Sequence, residues 1–343
     1  MTPLISVVMP VQDGARWLAE AVTSIQQQSL AEFELLIVDD GSADESARIA
    51  TAFAKADPRI RVVPQARLGL VTALNRGLTE ARGALIARLD ADDRAHPQRL
   101  ARQREYLAAH TEIGLLGTWA DKIDASGRVI GALKPAASPH ELMQLLPRTN
   151  PFVHSSVMMR KQVLENAGYY RPAFQGAEDY DLWLRLSELT TVANLPERLL
   201  QYRVHSESVS QTARLRQLFS TRLAQRAAHS RQSGAYDPTS HLTAPPDWHT
   251  ADALRSPVYG DLARLYRLLS AADSDATGEV DLSPLNDPLL VLMHAERKMA
   301  QIALLTLIKR GTASVSRMAL LRQFIRLHPP RALALGFGAL MRG

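Results

Sequence analysis

Three aspartates, Asp90, Asp92 and Asp93, fall within four residues directly behind the apolar run Ala84-Leu85-Ile86-Ala87. Carboxylates a few ångströms apart repel one another and raise each other's pKa unless a positive charge sits among them. Such a group of hard oxygen donors suits a divalent cation. In an extended chain side chains alternate with period two, which points Asp90 and Asp92 to one side and lets one ion, or an ion and a ribose, take both. An acidic turn capping the helix after Pro97 is the plainer account of the same residues. A second pair of acids, Asp39-Asp40, ends the apolar run Phe33 to Val38 and leads into Gly41-Ser42. A third, Glu178-Asp179, precedes Tyr180-Asp181-Leu182-Trp183. There a positioned general base competes with simple stabilisation of negative charge at a helix N-terminus, worth about 0.3–1 kcal/mol.

The elements between these acids decide whether they meet. Ile5 to Val11 predicts a first strand, stopped at Pro10. Trp17, Leu18, Ala21, Val22 and Ile25 mark one face of a helix from about Gly14 to Gln28. Ser42 with Glu45 three residues on resembles a capping box for a second helix reaching about Lys55. A strand near Arg61 to Pro64, a helix near Gly69 to Ala81 and a strand ending at Asp90 follow. Near-continuous apolar strands alternating with helices predict a mostly parallel, Rossmann-like sheet flanked by helices. Ligands bind such sheets beyond the carboxyl ends of the strands. Asp39, Asp40, Asp90, Asp92 and Asp93 all occupy such ends, so the pattern predicts one cleft.

Six stretches in order carry a family resemblance. They are Ser6-Val7-Val8-Met9-Pro10-Val11, Val38-Asp39-Asp40-Gly41-Ser42, Gly69 to Gly83 leading into Leu89-Asp90-Ala91-Asp92-Asp93, His154-Ser155-Ser156-Val157-Met158, Glu178-Asp179-Tyr180-Asp181-Leu182-Trp183 and Tyr202-Arg203-Val204-His205. Over residues 4 to 210 the chain resembles a family 2 glycosyltransferase of the GT-A fold. The resemblance implies inverting transfer of a sugar from a nucleotide-sugar donor, with UDP as the nucleotide, to a hydroxyl of a glycan or lipid-linked acceptor. The implied setting is bacterial cell-surface polysaccharide synthesis. It makes Asp92 the leading ligand of a Mn²⁺ or Mg²⁺ ion, turns Asp90 toward the ribose or a metal-bound water, and leaves Asp93 in either role. His205 is a further metal ligand on this reading and Arg203 a phosphate contact. Asp40, or its neighbour Asp39, accepts from the N3–H of uracil, for which an acceptor-only carboxylate is suited. Pro10, Val11, Gln12, Arg67, Gly69 and Ala91 complete the donor side. Asp179 is the catalytic base, with His154, Glu178 and Trp183 on the acceptor side; the helical spacing of Trp183 with Leu182 and Leu186 also fits core packing. One departure stands out: relatives carry Tyr-Asn after Pro-Val, and this chain has Gln12-Asp13, which offers hydrogen bonds to a base but little stacking.

Composition bounds the rest. The 343 residues suffice for about two domains, and a 46% hydrophobic share is that of a globular chain. Residues 1–212 are expected to form the GT-A domain, with a nucleotide-sugar half over about 1–95 and an acceptor half over 96–212. A basic helical extension, 213–343, then carries a Pro-containing loop near 234–249. Without cysteine, metal ligands are restricted to oxygen and imidazole. No signal peptide and no spanning helix are expected, which places the enzyme in the cytoplasm. From Lys298 to Gly343 there are eight Lys or Arg and no Asp or Glu, which exceeds the formal net charge of +5 for the whole chain. This tail suits an anionic membrane surface, and a helical subdomain with solvated arginines fits equally. Nucleic acid is a poor partner, since the basic tail lacks interleaved aromatics. Two rivals remain: a sugar nucleotidyltransferase, for which the Pro10 to Arg16 segment is too poor in Gly and Arg, and a catalytically silent scaffold.

Overall fold

The computed structural model describes residues 4–205, 211–270, 281–286, 294–310 and 315–327. In the first half, β1 (Ile5–Val11), α1 (Ala15–Gln26), β2 (Phe33–Asp40), α2 (Ser46–Ala56), β3 (Ile60–Gln65), α3 (Leu70–Glu80) and β4 (Leu85–Arg88) alternate along the chain. Their strands pair in parallel in the order β3-β2-β1-β4. β1 and β2 are buried at every position, which is why they are apolar almost throughout. Leu18, Val22 and Ile25 of α1 share one core with Ile5, Val7, Met9, Leu35 and Ile37.

Two expectations fail locally. β1 runs through Pro10 to Val11. Val8 accepts from Leu89 N–H on the β4 side, and pairing with β4 ends at Val8 and Arg88. Pro10, two residues on, faces the same side beyond the end of β4, so its missing N–H costs no ladder bond. The capping box at Ser42 does not form either. Ser42 Oγ accepts from Asp13 N–H instead (3.0 Å), Asp44 Oδ1 accepts from Ser46 N–H (2.9 Å), and α2 starts only at Ser46.

The second half adds β5 (Arg94–Ala95), α4 (Arg99–Ala109), β6 (Ile113–Ile123), β7 (Val129–Leu133), α5 (Pro139–Leu145), β8 (Met158–Arg160), α6 (Lys161–Ala167), α7 (Glu178–Ser187) and β9 (Thr191–Arg203). β8 lies antiparallel between β4 and β6, β9 runs parallel to β6, and β5 and β7 pair antiparallel to β9 and β6. Ahead of β8, His154–Ser156 form a 3₁₀ turn, and Met158 is the first residue of the strand.

The chain divides into two compact units, residues 1–208 with 224–237, and 209–223 with 238–343. Helix α8 (Gln211–Gln232) contributes to both. The second unit contains α9 (Ala251–Arg255), α10 (Gly260–Ser270), α11 (His294–Arg310) and α12 (Arg317–Leu327). Between α9 and α10 the chain breaks at Ser256-Pro257, because the residue before proline is pushed out of the helical region. Phe219 packs against Trp248 and Tyr266, both at 5.3 Å between ring centroids. Buried Glu296 accepts from Tyr266 Oη (2.7 Å) and pairs with Arg222 (3.4 Å), and Arg216 lies 4.1 Å over Trp248. Several arginines of α8 are thus engaged within the fold rather than solvated. No helix among the described residues is long and apolar enough to cross a membrane. The apolar stretch Leu333 to Met341 lies outside the described residues.

Candidate active site

The aspartates after β4 occupy a turn. β4 stops at Arg88, and Asp93 N–H donates to the Asp90 carbonyl at 3.3 Å. This turn, not strand alternation, brings one oxygen from each of Asp90, Asp92 and Asp93 within 4.8 Å of the others. Distant segments fix it. Asp90 N–H donates to Ser155 Oγ (2.8 Å), Arg203 N–H donates to Asp93 Oδ1 (2.8 Å), and His205 Nε2 lies 3.2 Å from Asp92 Oδ2. The His205 ring is seated against Trp17, 4.6 Å between centroids. Asp93 is 1% exposed, and its Oδ2 has no hydrogen-bond partner. Burial, then the charges of Asp90 and Asp92, push its carboxyl well above the usual range; burial and Asp90 push Asp92 upward too. A buried carboxylate oxygen without a donor, beside two more carboxylates and an imidazole, fits a hard divalent cation.

Arg203 is not placed for phosphate. Its buried guanidinium donates to the carbonyls of Asp92 (2.7 Å), Asp124 (3.3 Å) and Ala125 (3.2 Å) and pairs with Glu20 (2.8 Å), so it braces the turn.

Beyond the ends of β1 and β2 lies a second group. Asp40 Oδ1 accepts from Leu68 N–H (2.8 Å) and Gln65 Nε2 (2.7 Å), and Oδ2 accepts from Gly69 N–H (2.8 Å). Asp40 therefore holds the loop that starts α3, while Asp39 receives Ser42 N–H at 3.2 Å. Gly41 has φ +65°, and a Cβ there would meet Arg67 N at 2.7 Å, so only glycine lets the two loops touch. Asp13, at φ +51°, accepts from Ala43 N–H (2.7 Å) and pairs with exposed Arg67 (2.5 Å). Gln12 is exposed beside it, and Pro10 and Val11 are buried beneath.

A cleft of about 630 Å³ opens on the other side of the aspartate turn, lined by Asp90, Lys122, Asn150, His154, Asp179 and Tyr202 among others. Asp179, in the first turn of α7, accepts from Asn150 Nδ2 (2.8 Å) and Tyr180 N–H (2.6 Å), and burial lifts its pKa. α7 is anchored from behind by fully buried Asp181, ion-paired to Arg171 and Arg185. His154 Nε2 lies 2.8 Å from Tyr170 Oη; burial, then the Arg88 charge, drives its pKa well down and keeps the ring neutral.

Residues 6–168 match Glycosyl transferase family 2. The amylovoran biosynthesis glycosyltransferase AmsE of Erwinia amylovora is 35% identical over 56% of this chain and 73% of its own length. The O-antigen biosynthesis glycosyltransferase WbnJ of Escherichia coli is 33% identical over 61% of this chain and 83% of its own. The chain belongs to glycosyltransferase family 2. Solved structures agree on the fold, which is GT-A. S. aureus TarS 1-349 in complex with UDP-GlcNAc superposes with a TM-score of 0.57 at 15% identity, covering 97% of this chain and 92% of that one. The mannosyltransferase PcManGT from Pyrobaculum calidifontis, in complex with GDP-Man and Mn2+, gives 0.53 at 18%, covering 90% and 86%.

In this glycosyltransferase the acceptor-side expectations divide. Asp179 and His154 line the cleft. Trp183 does not: it is 0% exposed and packs on Phe152, His154 and Tyr170, so it props the histidine and offers no sugar platform. Glu178, 7% exposed, turns back to accept from Gly176 N–H at 2.6 Å and does not line the cleft. Burial and the Asp179 charge push it up to about 7. A carboxyl raised in the folded state keeps its proton where the unfolded chain has lost it, so stability falls as pH rises from about 4.5 through about 7. Glu178→Gln removes that penalty and should add up to about 3 kcal/mol at pH 8. Urea melts at pH 4 and pH 8 check this: the gain appears only at pH 8, and equal stabilities at both pH values would show that Glu178 ionises freely. Asn150 and Lys122 belong to the site without any local sequence signal, whereas Ser155 lies in the stretch His154 to Met158 that carries the resemblance. Arg88 had such a signal, a lone cation inside an apolar strand.

Proposed function

We propose that the protein transfers a sugar from a UDP-linked donor to a hydroxyl of a glycan or lipid-linked acceptor, with inversion, during assembly of a cell-surface polysaccharide. One observation carries the reading: Asp90 from the aspartate turn and Asp179 from the start of α7 line a single cleft. The names of AmsE and WbnJ support the polysaccharide setting, and the UDP-GlcNAc and Mn2+ of the two solved relatives support the donor class and the ion. The catalytic domain on this reading spans about residues 1–212, its donor half ending near 95, and works at the cytoplasmic face of the membrane.

Asp39 reads the nucleobase, because Asp40 already has three donors on its two oxygens. Asp92, Asp93 and His205, with an oxygen of Asp90, would hold Mn²⁺ or Mg²⁺. Such an ion, when bound, supplies Lewis-acid charge against the diphosphate leaving group. Asp179 Oδ2 takes the proton of the acceptor hydroxyl, whose oxygen attacks the anomeric carbon opposite the diphosphate. The C1–O bond to the diphosphate breaks in the same displacement, which inverts the centre. Asn150 and Tyr180 N–H keep the base aimed, and neutral His154 beside it adds no competing positive charge. The complete set of acids makes a silent scaffold the weaker reading.

The test is thermal stability against UDP, GDP, dTDP and CMP, each with and without Mn²⁺. A ligand at 100 times its Kd adds about 2.7 kcal/mol. A UDP shift that needs Mn²⁺ is expected; no shift with any nucleotide would favour the scaffold. On α12, exposed Met318 and Arg322 lie four residues apart, which supports peripheral contact with an anionic membrane. Equal flotation of the full chain and a truncation after residue 297 with anionic liposomes would remove that part.

A further inference from the structure

Arg88 closes β4 with a guanidinium that is 3% exposed. Its partner is Asp90, reached by Nη1 as a charge contact without hydrogen-bond geometry, and its Nε is buried with no hydrogen-bond partner. Its carbonyl is pinned by Nη2 of fully buried Arg99 at 2.7 Å. Burying a charge is costly, and a guanidinium does not escape by losing its proton. Nor is Arg88 placed there by an ordinary salt bridge, since Asp90 faces the cleft and is itself part of the aspartate turn. Its charge is felt at both ends of the site, easing ionisation of Asp92 in the turn and of Glu178 and Asp179 on α7.

The three aspartates of the turn would together be a strong cation trap. Buried Arg88 meets one oxygen of Asp90 and offsets one negative charge of the turn. A divalent ion then meets a site of reduced charge, and the diphosphate of the donor can make up the deficit.

We infer that Arg88 is a positioning residue that sets the charge of the aspartate turn, so that a divalent cation is held firmly only together with the donor's diphosphate. The inference rests on the metal-dependent reading above. Cation and nucleotide then bind as a pair, and the free enzyme does not sequester the ion.

The experiment is Mn²⁺ binding to the full chain, read from the free-ion signal in electron paramagnetic resonance, with and without UDP. The parent should bind Mn²⁺ weakly alone and much more tightly with UDP. In Arg88→Met and Arg88→Gln the nucleotide-free affinity should rise at least about tenfold, because a unit charge a few ångströms from the ion is removed, and the enhancement by UDP should shrink. A merely structural role predicts the reverse, weaker Mn²⁺ binding in a loosened turn. Unchanged or weaker nucleotide-free binding in the folded neutral variants overturns the inference. Should both fail to fold, Arg88→Lys decides: it keeps the charge, so Mn²⁺ affinity stays within about threefold of the parent, and a tenfold change in either direction overturns the proposal. A parent that ignores Mn²⁺ even with UDP sinks the metal-dependent reading and this inference with it. A parent that behaves as expected beside unresponsive variants sinks this inference alone.

Discussion

Asp179→Asn should lower the rate of sugar transfer by about 10²–10⁴-fold, the range that general-base catalysis supplies, while UDP and Mn²⁺ bind with parental affinity. The carboxylate stands in the acceptor-side cleft, held by Asn150 Nδ2 at 2.8 Å and Tyr180 N–H at 2.6 Å. An amide keeps the shape but cannot take the proton of the attacking hydroxyl. It also presents one acceptor oxygen to two donors, so a small loss of stability is expected beside the large loss of rate. Burial lifts the Asp179 pKa above its ordinary value, so transfer should fall off in acid at a higher pH than for an exposed aspartate. Comparison with Glu178→Gln sharpens the assignment. Glu178 is turned away from the cleft and holds its proton up to about 7, so its substitution should leave activity and the acid limb of the pH profile near parental. A single-turnover assay with radiolabelled donor separates the outcomes: near-parental turnover in Asp179→Asn would move the base to another residue.

Asp92→Asn should abolish the dependence of UDP affinity on Mn²⁺. Asp92 sits in a turn whose ligand atoms lie within 4.8 Å of one another, and His205 Nε2 approaches its Oδ2 at 3.2 Å. Outer-shell partners of metal ligands are worth 10–100-fold in affinity, so loss of a ligand should weaken the Mn²⁺-dependent binding of UDP at least about 100-fold. Calorimetric titration of UDP with Mn²⁺ present checks this. The substitution also relieves repulsion on buried Asp93, so the variant should be no less stable than the parent. Loss of UDP affinity together with lowered stability would mark Asp92 as structural.

Much of the donor half was legible in sequence because both faces of its strands are covered. A run such as Leu35-Leu36-Ile37-Val38 has nowhere to go but a buried parallel strand, and acids that follow it must stand at the carboxyl end. Local rules did worse wherever a longer-range partner outbid a near one. Ser42 looked like a helix cap, but Asp13, in the left-handed region, claimed it. Alternation predicted that Asp90 and Asp92 share a side; the turn, braced by Arg203 from β9 and Ser155 from the 3₁₀ segment, brought in Asp93 as well. The residues that shape the acceptor cleft, Lys122, Asn150 and Tyr202, come from β6, β9 and a loop, with no local pattern to unite them. The family resemblance puts Trp183 and Arg203 on the ligand side; burial sets both apart from it, and for Trp183 this agrees with the core packing that its helical spacing predicts. Arg88 is the instructive omission: a cation in a strand that buries everything else has to answer a charge nearby.

The most direct test of the account is release of nucleoside diphosphate from a panel of UDP-, GDP- and dTDP-sugars, with and without Mn²⁺, in parent and Asp92→Asn. The account predicts release from UDP-sugars that requires Mn²⁺ and is lost in the variant. Release from any donor that proceeds equally without the metal, or that survives Asp92→Asn, would contradict it.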